Sequence, residues 1–326
     1  MIKRKLGGTG FEMSPIGLGS WALGGGGGWQ FGWGPQEEKE SILTIRHAVD
    51  LGVNWIDTAP VFGFGRSEEI IGRAIKDLKE KPLIATKCGL IWTQNRSLTF
   101  GRLTKKSIIE EIEASLRRLQ VDTIDLYQIH WPNPDPDIEE AWATIAQKIK
   151  EGKIRYAGVS NFKIEQMKRI MPIHPIASLQ VNYSMIYRGI EKDIFEFCTS
   201  NNIGLLISNP LQKGLLTGKI TKEWVQGLPE ISPRLRDPEF KEPDLSINMK
   251  LVAGLDEIAC REKKTVSQIS TAWILKHPEI TSVIVGVRSP SQIDEIFLPG
   301  DWQLSQDSIE AIENLLAERD RLLKKK

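Results

Sequence analysis

Cysteine is scarce. Cys88, Cys198 and Cys260 are the three present in 326 residues, and they lie far apart. That spacing excludes a disulfide framework and a Cys-rich zinc site. The four histidines, His47, His130, His174 and His277, are also scattered, with no HExxH or similar ligand spacing, so no metal is expected. No apolar run reaches about 18 residues, which argues against a transmembrane helix. The first fifteen residues, MIKRKLGGTGFEMSP, contain no apolar signal core. Excess charge of one sign is missing too: 43 Lys and Arg against 42 Asp and Glu leave a net charge of +1. Such a chain has no field for nucleic acid or an anionic membrane. The expectation is a soluble cytoplasmic protein with a small-molecule partner.

What is present is apolar and regularly spaced. At 40% hydrophobic residues the chain can build a large core, and no low-complexity linker divides it. One biased stretch, GGGGG at 24–28, is flanked by Trp21, Trp29 and Trp33. It is too short for a tether and reads as a loop laid over a surface or ligand. Short apolar runs at 16–18, 53–56, 83–86, 124–129, 154–159, 178–181, 204–208 and 282–285 read as buried parallel strands. Amphipathic stretches alternate with them. Residues 38–51 align Ile42, Ile45 and Val49; residues 67–78 align Ile70, Ile71, Ala74 and Ile75; residues 105–119 align Ile108, Ile112 and Leu116. This is the period of a helix covering a sheet. Eight strand–helix units without a dominant break favour an α/β fold, a single (β/α)8 TIM barrel over residues 1–326.

Three segments depart from the repeat. Residues 1–13 read as a hairpin, IKRKL and FEM around GGTG, that plugs the barrel bottom. Residues 211–248, after the seventh strand, form a long segment rich in Pro and charge; long loops in compact domains are usually functional. Residues 305–326 read as a C-terminal helix, with Ile309, Ile312, Leu315 and Leu316 aligned. A false lead is the GxGxxA match at Gly17, Gly19 and Ala22. A dinucleotide-binding Rossmann motif needs a helix to start there, and here the chain runs into glycines instead.

Function in such a barrel gathers at the C-terminal ends of the strands. Four ends carry polar groups: Asp57-Thr58, Thr86-Lys87-Cys88, Gln128 with His130, and Ser160-Asn161. Each alone has a structural explanation, as a turn cap, a neutralising partner or a core residue. Their shared position does not. Together with LGGTGFEMSPIGLGSW (6–21), NWIDTAPVFGFGRSEEIIGRAI (54–75), ATKCG (85–89), DLYQIHWP (125–132), GVSNF (158–162), QVNYS (180–184), GLLTGK (214–219) and VIVGVRSPSQIDEI (283–296), they give a chain that resembles the aldo-keto reductases over nearly its whole length. It looks most like their bacterial open-chain aldehyde and ketone reductases.

The resemblance implies a catalytic Asp, Tyr, Lys and His at Asp57, Phe62, Lys87 and His130. Position 62 is therefore a departure, since phenylalanine lacks the hydroxyl. In carbonyl reduction, charge grows on the carbonyl oxygen, and a positioned acid is worth about 10²–10⁴ in rate. A phenol, with a free pKa of about 10, is made a better acid by a nearby ammonium. With Phe62 the shape remains and the proton donor is gone. Three explanations stand: an introduced knockout, a natural variant using His130 or water as donor, or a non-catalytic nicotinamide sensor. Survival of the other three residues favours the first.

The resemblance also implies NADPH as cofactor. Ser160, Asn161 and Gln180 match contacts to the nicotinamide carboxamide. Arg288, after Gly286, suits a phosphate because a guanidinium binds it bidentately, and Gln292 is a further contact. Ser208, Pro210, Leu211, Lys213, Gly214 and Leu215 begin the long segment and are expected to fold over the pyrophosphate. Ser208 stands where the family commonly has an aromatic ring, and Ile296 where it has an Asn near adenine. Arg234 and Arg236 read as a solvated charge run, and Cys88 as a small buried hydrophobe. Trp21, Trp92 and Trp131 are expected to line an apolar pocket for an aldehyde or ketone. A Schiff-base aldolase using Lys87 is a rival of another class. The oligomeric state is not legible.

Overall fold

Eight apolar runs pair side by side and close on themselves. The computed structural model describes residues 2–25, 31–96, 99–230, 232–297 and 302–324. Twelve strands occur among them: β1 (Arg4–Lys5), β2 (Glu12–Met13), β3 (Ile16–Gly19), β4 (Trp55–Asp57), β5 (Leu83–Cys88), β6 (Leu90–Trp92), β7 (Thr99–Gly101), β8 (Ile124–Ile129), β9 (Ile154–Ser160), β10 (Ser178–Asn182), β11 (Gly204–Ser208) and β12 (Ile280–Gly286). The barrel runs β3-β4-β5-β8-β9-β10-β11-β12 and returns to β3, with parallel neighbours throughout. This is the expected (β/α)8 barrel. Gly26–Gly28 and Trp29 of the glycine-rich stretch, and the last two residues, lie outside the described residues.

The covering helices form where the apolar period called for them. Glu38–Asp50, Arg66–Ile75 and Lys105–Leu119 follow β3, β4 and the β6–β7 pair. Ile45, then Ile70, Ile71, Ala74 and Ile75, then Ile108, Ile112 and Leu116 are all buried. Local chemistry fixes the ends. Thr104 caps Lys105–Leu119, its hydroxyl accepting from the Ser107 amide. Thr265 and Gln268 cap each other at the start of Val266–Leu275, satisfying two donors the first turn leaves open.

Inside the barrel, alternate residues of each strand point inward. The lowest layer holds Trp55, Ala85, Leu126, Leu206 and Ile284, joined by Leu6 and Met13 of the N-terminal hairpin. That hairpin therefore closes the bottom, and the Arg4 guanidinium ties it there through the carbonyls of Leu275, His277 and Ile280. The layer also explains the false Rossmann motif. A Cβ on Gly17 would fall 2.0 Å from Cε2 of Trp55, whose indole N–H donates to the Ser282 hydroxyl at 3.0 Å. Gly17 is there to admit a tryptophan, not a pyrophosphate.

Three features differ from the sequence expectation. The segment after β11 is not a plain loop: it holds a short helix, Lys222–Gln226, and its own buried cluster of Leu215, Val225, Phe240 and Leu245. It ends earlier than the sequence suggests, because the helix Asp244–Glu262 begins before residue 248. The antiparallel pair β6–β7 was missed. It rises from the end of β5, where Gly89 turns with φ +87°. The Gly89 amide donates to Glu111 Oε2 at 2.9 Å, and the Ser107 hydroxyl donates to Glu111 Oε1 at 3.0 Å. The C-terminal helix Gln306–Leu323 buries Ile312 and Leu316 and sets Leu315 against Gly254 of Asp244–Glu262. Among the described residues no helix is long and apolar enough to cross a membrane.

Gly17→Ala is expected to destabilise the fold by about 1–3 kcal/mol or more through overpacking, read as a lower urea midpoint by circular dichroism; an unchanged midpoint would contradict the packing. Burial raises the Glu111 carboxyl to about 7. A carboxyl raised on folding destabilises the native state once it must ionise, so stability falls as pH rises from the ordinary glutamate range through about 7. Glu111→Gln is expected to gain stability over the parent above pH 7 and to lose that advantage in acid; a pH-independent difference in midpoint would count against it.

Candidate active site

The second inward layer, just above Trp55, is polar. Asp57 follows Trp55 by two residues on β4, Lys87 follows Ala85 on β5, and Gln128 follows Leu126 on β8; Gln180 joins them from β10. A period of two thus converts an apolar floor into a polar ceiling. Gly158 makes room for it, since a Cβ there would lie 2.2 Å from the Ser178 hydroxyl.

The layer is one hydrogen-bonded chain. Lys87 Nζ donates to Asp57 Oδ1 at 2.6 Å and to the Thr58 carbonyl at 2.9 Å. Gln180 Nε2 donates to the same Asp57 oxygen at 3.3 Å, and Gln128 Nε2 donates to Gln180 Oε1 at 3.3 Å. The Ser178 hydroxyl donates to Gln128 Oε1 at 3.4 Å. Burial lowers the Lys87 pKa below that of an ordinary lysine and raises that of Asp57, each opposed by attraction to its partner. From outside the strand, the fully buried Glu68 accepts from Thr86 at 2.6 Å and from Arg118 at 2.7 Å. Nothing in the sequence singled out Glu68; a carboxylate in SEE on an amphipathic helix looks solvated.

Phe62 sits over this pair. Lys87 Nζ is 5.5 Å from the ring centroid. The His130 ring stands edge-on to Phe62 at 6.0 Å, and Trp21 lies nearly parallel to it at 6.0 Å. Burial and the Lys87 ammonium push the His130 pKa well below its ordinary value, so its imidazole is neutral at pH 7. The four positions expected to act together are together.

The other expected residues divide. Ser160 and Gln180 are buried opposite each other on β9 and β10, and Gln180 reaches Asp57. Asn161 has a left-handed backbone, φ +61°, and its side-chain Nδ2 donates to the His130 carbonyl and to the Ser160 hydroxyl, each at 3.0 Å. Ser208 donates to Asn182 Oδ1 at 2.8 Å. Pro210 and Leu211 are buried at the end of β11, and Leu215 belongs to the separate cluster above. Lys213 pairs with Asp237 at 2.5 Å, and Gly214 takes φ +97°. Gly286 ends β12 in open space. Gln292 accepts from the Arg288 amide at 2.8 Å. Trp21 and Trp92 border the cluster around Phe62 and Phe64, whereas Trp131 stands exposed at the rim.

One expectation is corrected. Arg234 is not part of a solvated charge run: its guanidinium lies 4.3 Å from the Trp33 ring centroid and 5.0 Å from that of Trp224, and its Nε donates to the Lys213 carbonyl at 2.8 Å. Arg236 is exposed. Cys88 is buried, and burial raises its thiol well above its ordinary pKa, as a packing residue requires.

The donor set suits a nicotinamide dinucleotide. Hydroxyl and amide groups at the ends of β9 and β10 can answer a carboxamide, and a guanidinium after β12 can answer a phosphate. Lys87 is poorly placed for a Schiff base, with its ammonium buried and hydrogen-bonded twice.

The aldo/keto reductase family profile matches residues 15–317. An aldo-keto reductase of Bacillus subtilis, YhdN, is 40% identical over 311 residues, 94% of this chain and 91% of its own. An NADH-specific methylglyoxal reductase of Escherichia coli is 34% identical over 307 residues, 90% of this chain and 92% of its own. Among solved structures, the glycerol dehydrogenase AKR11B4 of Gluconobacter oxydans superposes with a TM-score of 0.88 at 34% identity, covering 98% of this chain and 96% of its own. On its barrel, its strand-end layer and these likenesses, the chain belongs to the aldo/keto reductase family, whose members use nicotinamide cofactors.

Proposed function

We propose that the chain is an NADPH-binding carbonyl reductase scaffold whose turnover is held down at Phe62. The observation that carries this is the buried Lys87–Asp57 pair directed at a ring without a hydroxyl, with a neutral His130 beside it. The bound cofactor supplies the hydride. Ser160, Asn161 and Gln180 hold its carboxamide, and Arg288 holds a phosphate. His130 is neutral and faces the ring at position 62, so it can donate one hydrogen bond to a carbonyl oxygen without bringing a second charge. Asp57 fixes Lys87, and Lys87 favours the ionised form of an acid placed where Phe62 is. That last function has no recipient in this sequence.

Trp21 and Trp92, bordering the Phe62 cluster, support a substrate with an apolar face. The relatives named for methylglyoxal and glycerol support short carbonyl compounds. We therefore assign small aldehydes and ketones as the substrate class. The Escherichia coli relative is named NADH-specific, so the preference for NADPH rests on Arg288 alone. A second reading, a nicotinamide-binding protein without catalysis, is favoured by Phe62 itself.

Phe62→Tyr separates the two. On the enzyme reading it raises reduction of a simple aldehyde, followed by NADPH absorbance, by about 10²–10⁴, with cofactor affinity by tryptophan fluorescence little changed. A phenol donates only while protonated, so the restored rate is expected to fall as pH rises through the phenol's pKa, which the Lys87 ammonium lowers. Turnover that stays at the parent level would leave the non-catalytic reading.

A further inference from the structure

The guanidinium assigned to the phosphate is already engaged. Arg288 Nη1 donates to the Trp33 carbonyl at 2.8 Å, Nη2 donates to the Pro35 carbonyl, and Nε donates to Gln36 Oε1 at 2.9 Å. Gln36 closes the ring from its other end, its Nε2 donating to the Arg288 carbonyl at 2.8 Å. All three nitrogens of the fork therefore point to one segment, 33–36, which leads into the helix Glu38–Asp50. Every one of these acceptors is a neutral oxygen, so the half-buried cation keeps its charge uncompensated by them.

A phosphate that binds a guanidinium edge-on uses two of its three nitrogens. On the edge that includes Nε it must take the single Nε–H from Gln36, while each Nη has given one of its two N–H groups to the segment and keeps the other. The exchange is favourable in itself, because hydrogen bonds to an ionised acceptor are roughly twice as strong as neutral ones. It is reduced by what is given up, which includes the two-way bond to Gln36. A cofactor with a bare ribose hydroxyl makes no such demand and leaves the bond to Gln36 in place.

We propose that Gln36 is a specificity-determining residue. By holding the only N–H of the Nε edge, it makes bidentate recognition of a 2′-phosphate on that edge compete with segment 33–36, and so narrows the preference for NADPH over NADH. The same segment carries Trp33, whose ring is 5.6 Å from that of Trp21, which in turn lies parallel to Phe62. Release on the phosphate side thus loosens one wall of the catalytic cluster, whereas NADH leaves that wall in place. This rests on the reading of Arg288 as the phosphate ligand.

The test is a binding measurement on the intact protein and needs no turnover. Dissociation constants for NADPH and NADH are taken from quenching of tryptophan fluorescence, with 2′,5′-ADP and 5′-AMP as fragment probes. Gln36→Met, which keeps the volume and removes both hydrogen bonds, is expected to widen the NADPH:NADH affinity ratio about tenfold. Gln36→Glu, which puts a charged acceptor on the fork, is expected to narrow it. A merely structural role would weaken both cofactors alike and would not move the ratio in opposite directions. Arg288→Leu is the control and should abolish the preference. If it does so while both Gln36 variants leave the ratio unchanged, the role of Gln36 is wrong and the phosphate reading survives. If Arg288→Leu leaves the ratio unchanged, the phosphate reading itself fails, and the role of Gln36 with it.

Discussion

The structure depends on an ammonium and a carboxylate held almost without water. The Lys87 side chain is 2% exposed and that of Asp57 6%. Removing such ions from solvent opposes folding by several kcal/mol each, even after relaxation. A buried pair of this kind persists only when attraction and hydrogen bonds offset that term. Here both ions are well supplied: Asp57 accepts from Lys87 and Gln180, and Lys87 has the Thr58 carbonyl as a second acceptor. A hydrophobic layer would fill the same space at less electrostatic cost. That this layer is ionic is the reason for the function proposed above, and its ammonium faces the Phe62 ring.

The barrel makes the layer possible by arithmetic. Inward positions recur every second residue, so whatever lies two residues above the apolar floor is carried toward the C-terminal ends of the strands. Trp55 precedes Asp57, Ala85 precedes Lys87, and Leu126 precedes Gln128. Glycines at 17 and 158 then set how large their neighbours can be. A tryptophan fills the floor on one side, and an amide network fills the ceiling on another. Floor and ceiling are thus coupled through backbone register, with no loop between them.

Much of this was legible in the sequence, and the reason is local. Each barrel strand is a short apolar run, and the polar residues at its end stand out against it. Asp57, Lys87 and His130 could be grouped before any coordinates because each ends such a run. Other groups could not. The β6 and β7 strands are three residues each, and β6 follows β5 almost directly, so no change of period announces them. Glu68 and Glu111 look like the outer face of a helix and turn out to serve the backbone and side chains of β5 and its exit. Gln36 lies 252 residues from Arg288, and nothing in its own surroundings hints at a partner. Arg234 looked solvated because its two tryptophans belong to different segments.

That last contact ties together two segments distant in sequence. Arg234 joins the segment after β3, through Trp33, to the segment after β11, through Trp224. A cation between aromatic faces is shielded from dissolved ions in a way that an exposed pair such as Lys219–Glu295, with side chains 61% and 40% accessible, is not. Burial lowers the Arg234 guanidinium to about 10, so its charge is intact at neutrality. The segments after β3 and β11 are consequently pinned to each other by a charge that salt screens less than it screens the open surface pairs.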